Sequence, residues 1–548
     1  MEKNISCLTD GLLYSLQNKV IWHLVYSVSA DEHAKSYRVS NENDMYAEPE
    51  FTGKYLDLCS EIYRLTENDK ALENAQKIVK AITENQRADG YLGCLPKGKE
   101  LLNFSVWNQA FTILGLVSEF SVSHDQGVLS TAIKCAEYVM RQFIDGKADI
   151  MDALNYGTQH ISILYSLCKL YRVTSDDRIK DYIFFIIDAI KHSESNFFDF
   201  DDVLSLKSRK GIENFVILLG ILEYSDIFSD EAATKSVRKY WRQIRDTQIR
   251  NTGNGTINEL WTENGNSCML LGSEVKANET CVAVGWIELS LALFYHEQKA
   301  EYLDAIDKTL YNHILASVSD DGSDFAYYQP NYGEKIRTTE NGMYKCCRYR
   351  GFTLFTYMND MLFFEDESNI IPMLYTSCDY KSEAVVISET SNYPFDNSVK
   401  FQVDAAKKFN FKIRIPNNYA LDNIEIDNKV IVPEIQDGYI VIEFQKGDNR
   451  VIVLNLKPLM KKETGTIGDI EYASFTYGCV LLAQNNVSAG DCIANETMPK
   501  KSSGKLFGRL SFYANGKNDS KNKQISFCDY ASADNYAVWI PVAETEEL

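Results

Sequence analysis

Three cysteines and two glutamates stand out in the stretch from Asn251 to Phe352. They occur as Asn258-Glu259-Leu260-Trp261, Glu279-Thr280-Cys281 and the adjacent pair Cys346-Cys347. Thiolates, imidazoles and carboxylates are the side chains that hold zinc, so a set of three cysteines and one glutamate satisfies a tetrahedral ion. Glu279, Cys281, Cys346 and Cys347 form such a set, and Glu259 is then left over as a proton donor. Neither cysteine group has Cys-x-x-Cys spacing, so small buried hydrophobes remain an alternative reading.

The spacings say where these residues must sit. Residues two apart point about 200° away from each other on a helix. Glu279 and Cys281 therefore share one ion only where the backbone is irregular. The apolar period Val282, Trp286, Leu289, Leu293 begins just afterwards, which places the pair on the entering turn of a helix. Cys346-Cys347 poses the same problem and needs a bend or loop. Glu259 follows a Gly/Asn/Thr-rich turn, Thr252 to Asn258, and precedes Trp261. An acid beside an aromatic can have its pKa raised by desolvation, as a general acid requires. Glu263 is an equal choice on composition. His160, after Tyr156-Gly157, opens a helix with apolar Ile163, Leu164, Leu167 and Leu170. It is either a sugar contact at the mouth of a ring or a satisfied helix-end histidine. Tyr327-Tyr328-Gln329-Pro330 reads as extended, a rim strand or a binding edge.

The elements that carry these residues change character once. From about Glu48, apolar residues recur at three to four positions (Phe51, Tyr55, Leu56, Cys59, Tyr63; Ala71, Ala75, Ile78, Ile82), with polar turns between paired helices. A pair returns roughly every 45–55 residues, as in a closed (α/α) barrel or an open solenoid. Around Ile370 the period falls to two: Ala384–Ser388, Phe409–Pro416, Tyr439–Ile442 and Val451–Leu456 are β-branched runs bounded by turns, as in a β-sandwich. The strands become less regular after Met460, and the Lys/Ser/Asn/Gly-rich piece 499–524 reads as an exposed loop. Three units are expected: residues 1–368, 369–460 and a β-rich 461–548.

Composition narrows the partners. A formal charge of −21 over 548 residues argues against binding a phosphate backbone. No run approaches the ~20 apolar residues of a membrane span. No basic-then-apolar leader is visible at the N-terminus. Thirteen cysteines without a small-domain disulfide pattern suit reduced thiols, so a cytoplasmic location is expected. Thirty-three tyrosines are many; they suit sugar platforms as well as core edges.

Taken in order, these motifs resemble the β-L-arabinofuranosidase family of glycoside hydrolases (family 127, with its relative family 146). The similarity runs from roughly residue 48 to 355, with scaffold signatures at Asp89-Gly90-Tyr91-Leu92, Lys169–Thr174, Thr309–Asn312 and Asp321-Gly322-Ser323. The resemblance implies a mainly α protein, an (α/α)6 barrel followed by a C-terminal β-sandwich region. It implies retaining hydrolysis in which Zn2+ is bound by Glu279, Cys281, Cys346 and Cys347, Cys346 attacks the anomeric carbon, and Glu259 is acid and then base. Sugar contacts fall on His160 and Tyr327, with Trp107 and Asn214 added to the substrate-facing set. The sequence departs from the family where two further histidines are expected, at Phe111 and Asn214, and again after the cysteine pair, at Arg348-Tyr349-Arg350-Gly351. The expected substrate is a β-L-arabinofuranoside or a related plant-derived glycoside, with a homodimer compatible and no nucleic-acid or membrane partner. Two rivals stand beside this reading. One is a metal-free barrel enzyme, a sugar epimerase or an unsaturated-uronide hydrolase or lyase. The other is a non-catalytic carbohydrate binder whose zinc only ties loops together.

Overall fold

The computed structural model describes residues 4–38, 48–102, 104–263, 275–339, 345–502, 508–518 and 521–543. Helix α1 (Gly11–Tyr26) comes first. Five helix pairs follow: α2 (Glu48–Thr66) with α3 (Asp69–Asn85), α4 (Ser105–Ser123) with α5 (Gln126–Ile144), α6 (Ile163–Thr174) with α7 (Asp177–Lys191), α8 (Gly211–Phe228) with α9 (Glu231–Thr247), and α10 (Thr280–Glu297) with α11 (Ala300–Thr309). Last is α12 (Cys346–Thr356), which packs on α1. Helices α2, α4, α6, α8, α10 and α12 each pack on the next, and α12 returns to α2. The ring therefore closes as an (α/α)6 barrel rather than running on as a solenoid.

Residue pattern explains which helix lies inside. Helices α8 and α10 are apolar on nearly every face and buried along most of their length. By contrast, α9 buries one stripe (Ala233, Val237, Tyr240, Trp241, Ile244) and turns charged residues outward, the pattern of a helix with one wet face. The outer helices α3, α5, α7 and α9 start on Asn68, Asp125, Asp176 and Asp230. Each of these side chains accepts a first-turn N–H, a cap typically worth about 1 kcal/mol.

Helices α2 and α4 approach most closely at two glycines. A Cβ on Gly53 would lie 2.4 Å from the Phe111 carbonyl oxygen, and one on Gly115 would lie 2.4 Å from the Gly53 carbonyl oxygen. Neither backbone can yield without moving a whole helix. Gly115→Val is expected to destabilise the barrel by about 2–3 kcal/mol, read as a lowered midpoint in denaturant unfolding followed by tryptophan fluorescence.

Beyond the barrel the chain is β. An antiparallel seven-stranded sheet includes Val385–Ser391, Ser398–Ala405 and Asn449–Pro458, and takes in Ile5–Leu8 from the N-terminus against Cys378–Lys381. A five-stranded sheet built on Phe409–Arg414 and Tyr439–Phe444 faces it, with Phe401 and Phe411 meeting edge to face at 5.3 Å. Alternate burial along Val385–Ser391 is what a strand with one wet face requires. The barrel is pinned to this sandwich by Arg414. Its guanidinium is fully buried, lies 2.6 Å from Asp307, and also pairs with Asp304.

A third sheet of ten strands forms the C-terminal part and adds Tyr332–Glu334, from the segment before α12, at its edge. It corrects one expectation. Within 499–524, strands Ser511–Asn518 and Lys521–Asp529 pair as a hairpin, while 503–507 and 519–520 lie outside the described residues. Phe512, Ala514, Ile525 and Phe527 point into a separate small core, while Asn515 and Asn522 lie exposed and Asn518 and Lys523 bond the buried Asp491.

Candidate active site

Four backbone segments meet at the mouth of the barrel. The first is the turn 251–261. Asn254 donates to the Glu279 carbonyl (2.6 Å), and the Glu279 N–H donates to Thr256 Oγ1 (3.2 Å). The second is the entry of α10, where Glu279 is the N-cap residue and Cys281 lies in the first turn. The third is the extended piece 325–329. It is tied to the second by Thr280 N–H to the Tyr327 carbonyl (3.0 Å) and by a bridge between Glu279 and Tyr328. The fourth is the start of α12, which opens on Cys346 and Cys347 themselves. Both cysteine groups thus occupy helix N-termini, where the outward N–H groups favour thiolate over thiol.

These segments bring together one donor atom each from Glu279, Cys281, Cys346 and Cys347, all within 4.8 Å of one another. Cys347 Sγ is 3.2 Å from Cys281 Sγ and 3.9 Å from Glu279 Oε1, and it accepts the Cys281 N–H at 3.3 Å. With Zn–S bonds of about 2.3 Å, the edges of a zinc tetrahedron are about 3.8 Å, so the quartet has the right size. Glu279 supplies an independent indication. It is buried, and its Oε2 has no hydrogen-bond partner. Burial, with the charges of Glu259 and Cys346, pushes the Glu279 carboxyl well above the usual range. Burial likewise raises the Cys281 and Cys347 thiols. A buried acid and two buried thiols in contact stay ionised only beside a cation, and the donor set fits zinc.

Cys346 differs from its neighbours. Its side chain alone in the quartet is partly exposed. Hydrogen bonding from the Cys281 and Cys347 sulfurs holds its thiol well below the ordinary value, with further help from the Lys54 ammonium and the Tyr327 hydroxyl.

Opposite this sulfur stands Glu259. Asn258 (φ 50°) and Glu259 (φ 69°) are both left-handed, and the Leu260 N–H returns to the Ile257 carbonyl at 3.0 Å, so the two form the centre of a type I′ turn. Asparagine suits that conformation; glutamate there is strained, as residues at working sites often are. The strain aims the carboxyl inward. Oε1 accepts from Tyr327 (2.7 Å) and Tyr328 (2.8 Å), and Oε2 lies 2.6 Å from Lys210 Nζ. The Tyr327 hydroxyl oxygen also lies 3.5 Å from Cys346 Sγ, so one hydroxyl links acid and sulfur. Two contacts through one oxygen keep Glu259 Oε1 and Cys346 Sγ within about 6 Å, shorter than the roughly 6.5–9.5 Å spacing of an inverting pair of carboxyls. Glu263, the other composition-based choice, is 71% exposed and paired to Arg209.

The remaining candidates are placed as follows. His160 is buried, its ring engaged by the Ile150 carbonyl, 3.2 Å from Nδ1, and by that of Leu101; burial lowers its pKa. Asn214 is fully buried, and its amide is occupied by Ser208 and Tyr240. Trp107 is buried and meets Phe111 edge-on at 5.1 Å. Phe111, standing where a histidine is expected, carries the Lys54 ammonium 4.3 Å above its ring. Tyr328 belongs to the extended segment whose sequence suggested a binding edge, whereas Lys210, in contact with Glu259, and Lys54, whose charge acts on Cys346, had no local sequence signal that would have singled them out.

Comparison with known proteins settles the lineage. The model of the β-L-arabinofuranosidase GH127 catalytic domain matches residues 7–360, and that of the GH127 middle domain matches 370–458. The chain belongs to the GH127 β-L-arabinofuranosidase family. This GH127 member is 20% identical over 271 residues to a non-reducing end β-L-arabinofuranosidase of Bifidobacterium longum subsp. longum, a match covering 44% of the chain and 40% of that relative's length. In fold it is similar to a GH127 β-L-arabinofuranosidase from Geobacillus stearothermophilus T6 (TM-score 0.76, 16% identity, 98% of this chain and 100% of that one). A second GH127 β-arabinofuranosidase structure gives a TM-score of 0.79 at 16% identity, over 98% of this chain and 96% of that one. Among the described residues of this GH127 member, no helix is long and apolar enough to cross a membrane.

Proposed function

We propose that this protein is a retaining glycoside hydrolase that releases a terminal β-L-arabinofuranosyl or closely related sugar, with Cys346 as nucleophile and Glu259 as acid and base. The observation that carries this reading is the facing pair: one partly exposed sulfur, one strained carboxyl, and about 6 Å at most between them.

In the first step Glu259 gives its proton to the leaving oxygen while Cys346 Sγ attacks the anomeric carbon. The C–O bond breaks and a C–S bond forms. In the second step Glu259 takes a proton from water, the water oxygen bonds to the same carbon, and the sulfur leaves with the electron pair of the C–S bond. Two displacements at one centre return the starting configuration. Zinc held by Glu279, Cys281, Cys346 and Cys347 would keep the thiols deprotonated at neutral pH. Tyr327, bonded to both Glu259 and Cys346, keeps the two groups aligned for either step.

The test combines elemental analysis with the stereochemistry of an aryl β-L-arabinofuranoside reaction followed by NMR. The reading expects one zinc per chain, chelator-sensitive turnover and a first-formed β-sugar. Hydrolysis insensitive to metal removal would favour the metal-free barrel enzyme, and sugar binding without turnover would favour the carbohydrate binder.

A further inference from the structure

The carboxyl of Glu259 has four lone pairs directed outward, two on each oxygen. Both on Oε1 are occupied, by the hydroxyls of Tyr327 and Tyr328. One on Oε2 faces the Lys210 ammonium at 2.6 Å. Among the described residues no partner takes the remaining lone pair, on Oε2.

Lys210 holds this arrangement from two directions. It is the N-cap residue of α8, and its backbone pairs with Leu260 across an isolated antiparallel bridge. The next N–H, from Gly211, donates to the Glu259 carbonyl at 2.9 Å. Backbone and side chain of the α8 entry therefore grip the left-handed residue at both its peptide and its carboxyl. The lysine is only 21% exposed, and burial alone would discharge it, but Glu259 and Glu213 together hold its pKa above the ordinary lysine range. Glu213 is in turn fixed by Thr158 (2.6 Å) and Asn155 (2.8 Å), so the ammonium has a rigid support behind it.

We propose that Lys210 is a positioning residue for proton transfer: it turns Glu259 so that the free lone pair of Oε2 is the one site that exchanges a proton with the glycosidic oxygen and then with water. This rests on the acid/base role given to Glu259 above.

Two glycosides of one furanosyl sugar test it, a 4-nitrophenyl glycoside, which needs little help in departing, and an alkyl glycoside, which needs the proton. Lys210→Met is expected to lower kcat/KM for the alkyl glycoside roughly tenfold more than for the nitrophenyl glycoside, and Lys210→Arg to restore most of that difference. Lys210→Gln serves as the neutral variant if the methionine protein does not fold. Equal losses on both substrates, no loss on either, or an arginine variant no better than the neutral one would overturn the assignment while leaving the hydrolase reading in place. Wild-type protein that turns over neither glycoside would bring down the hydrolase reading, and this assignment with it.

Discussion

Cys346→Ala is expected to remove turnover almost completely, by a factor on the order of 10⁶ if the sulfur carries the first displacement. The loss should not follow metal content in proportion. Glu279, Cys281 and Cys347 remain as three protein ligands, the number on which catalytic zinc sites commonly rest, and they are the buried members of the quartet. The variant should therefore still bind zinc, more weakly, with kcat collapsed. Steady-state kinetics run beside elemental analysis separates the two effects. Wild-type activity in Cys346→Ala would point to groups other than this sulfur.

Glu259→Gln carries the second large effect. The amide keeps the shape of the carboxyl but has no proton to give, so kcat/KM should fall by about 10²–10⁴, most of all for poor leaving groups. Glu259 is not one of the four clustered donors, so zinc content should be unchanged. Glu263→Gln is the control. Its carboxyl is 71% exposed on Arg209, away from the tyrosine pair, and its loss should leave rates within the wild-type range. The reverse pattern, with Glu263→Gln inactive and Glu259→Gln active, would move the acid to the other residue.

Much of the architecture was readable before any coordinates, because it follows from periodicity. Apolar residues at helical spacing through the first two thirds, then alternation after Ile370, become the barrel and the sheets. Closure of the ring was not readable, since it depends on α12 returning to α2 across almost the whole domain. The hairpin at 511–529 departs from the exposed loop its composition predicts, for a different reason. Lysines and asparagines dominate its composition, whereas Phe512, Ala514, Ile525 and Phe527 lie at alternate positions that face the core.

At the centre, the entering turn expected for Glu279 and Cys281 is the one observed, and Cys346-Cys347 resolves its geometry by opening a helix rather than lying in a loop. Spacing alone could not bring Cys281 to Cys347, which are 66 residues apart. The order of the motifs suggested it, and the folded backbone accounts for it through the ties from Asn254 and Thr280. The grip of Lys210 on Glu259 had no signature at all, because it is made by a bridge between two segments whose local sequences are ordinary. The departures after Cys347 also acquire a physical meaning. Arg350 pairs with Glu288, joining the two helices that carry the sulfurs, and Arg348 bonds the Ser323 carbonyl at 2.9 Å.

The most direct test of a sulfur nucleophile is to trap it. Glu259→Gln protein mixed with an activated aryl furanoside should complete the first displacement and stall before the second, and peptide mapping by mass spectrometry should then find one furanosyl unit on Cys346. An adduct on any other side chain, or release of the inverted sugar with no adduct at all, would contradict the account.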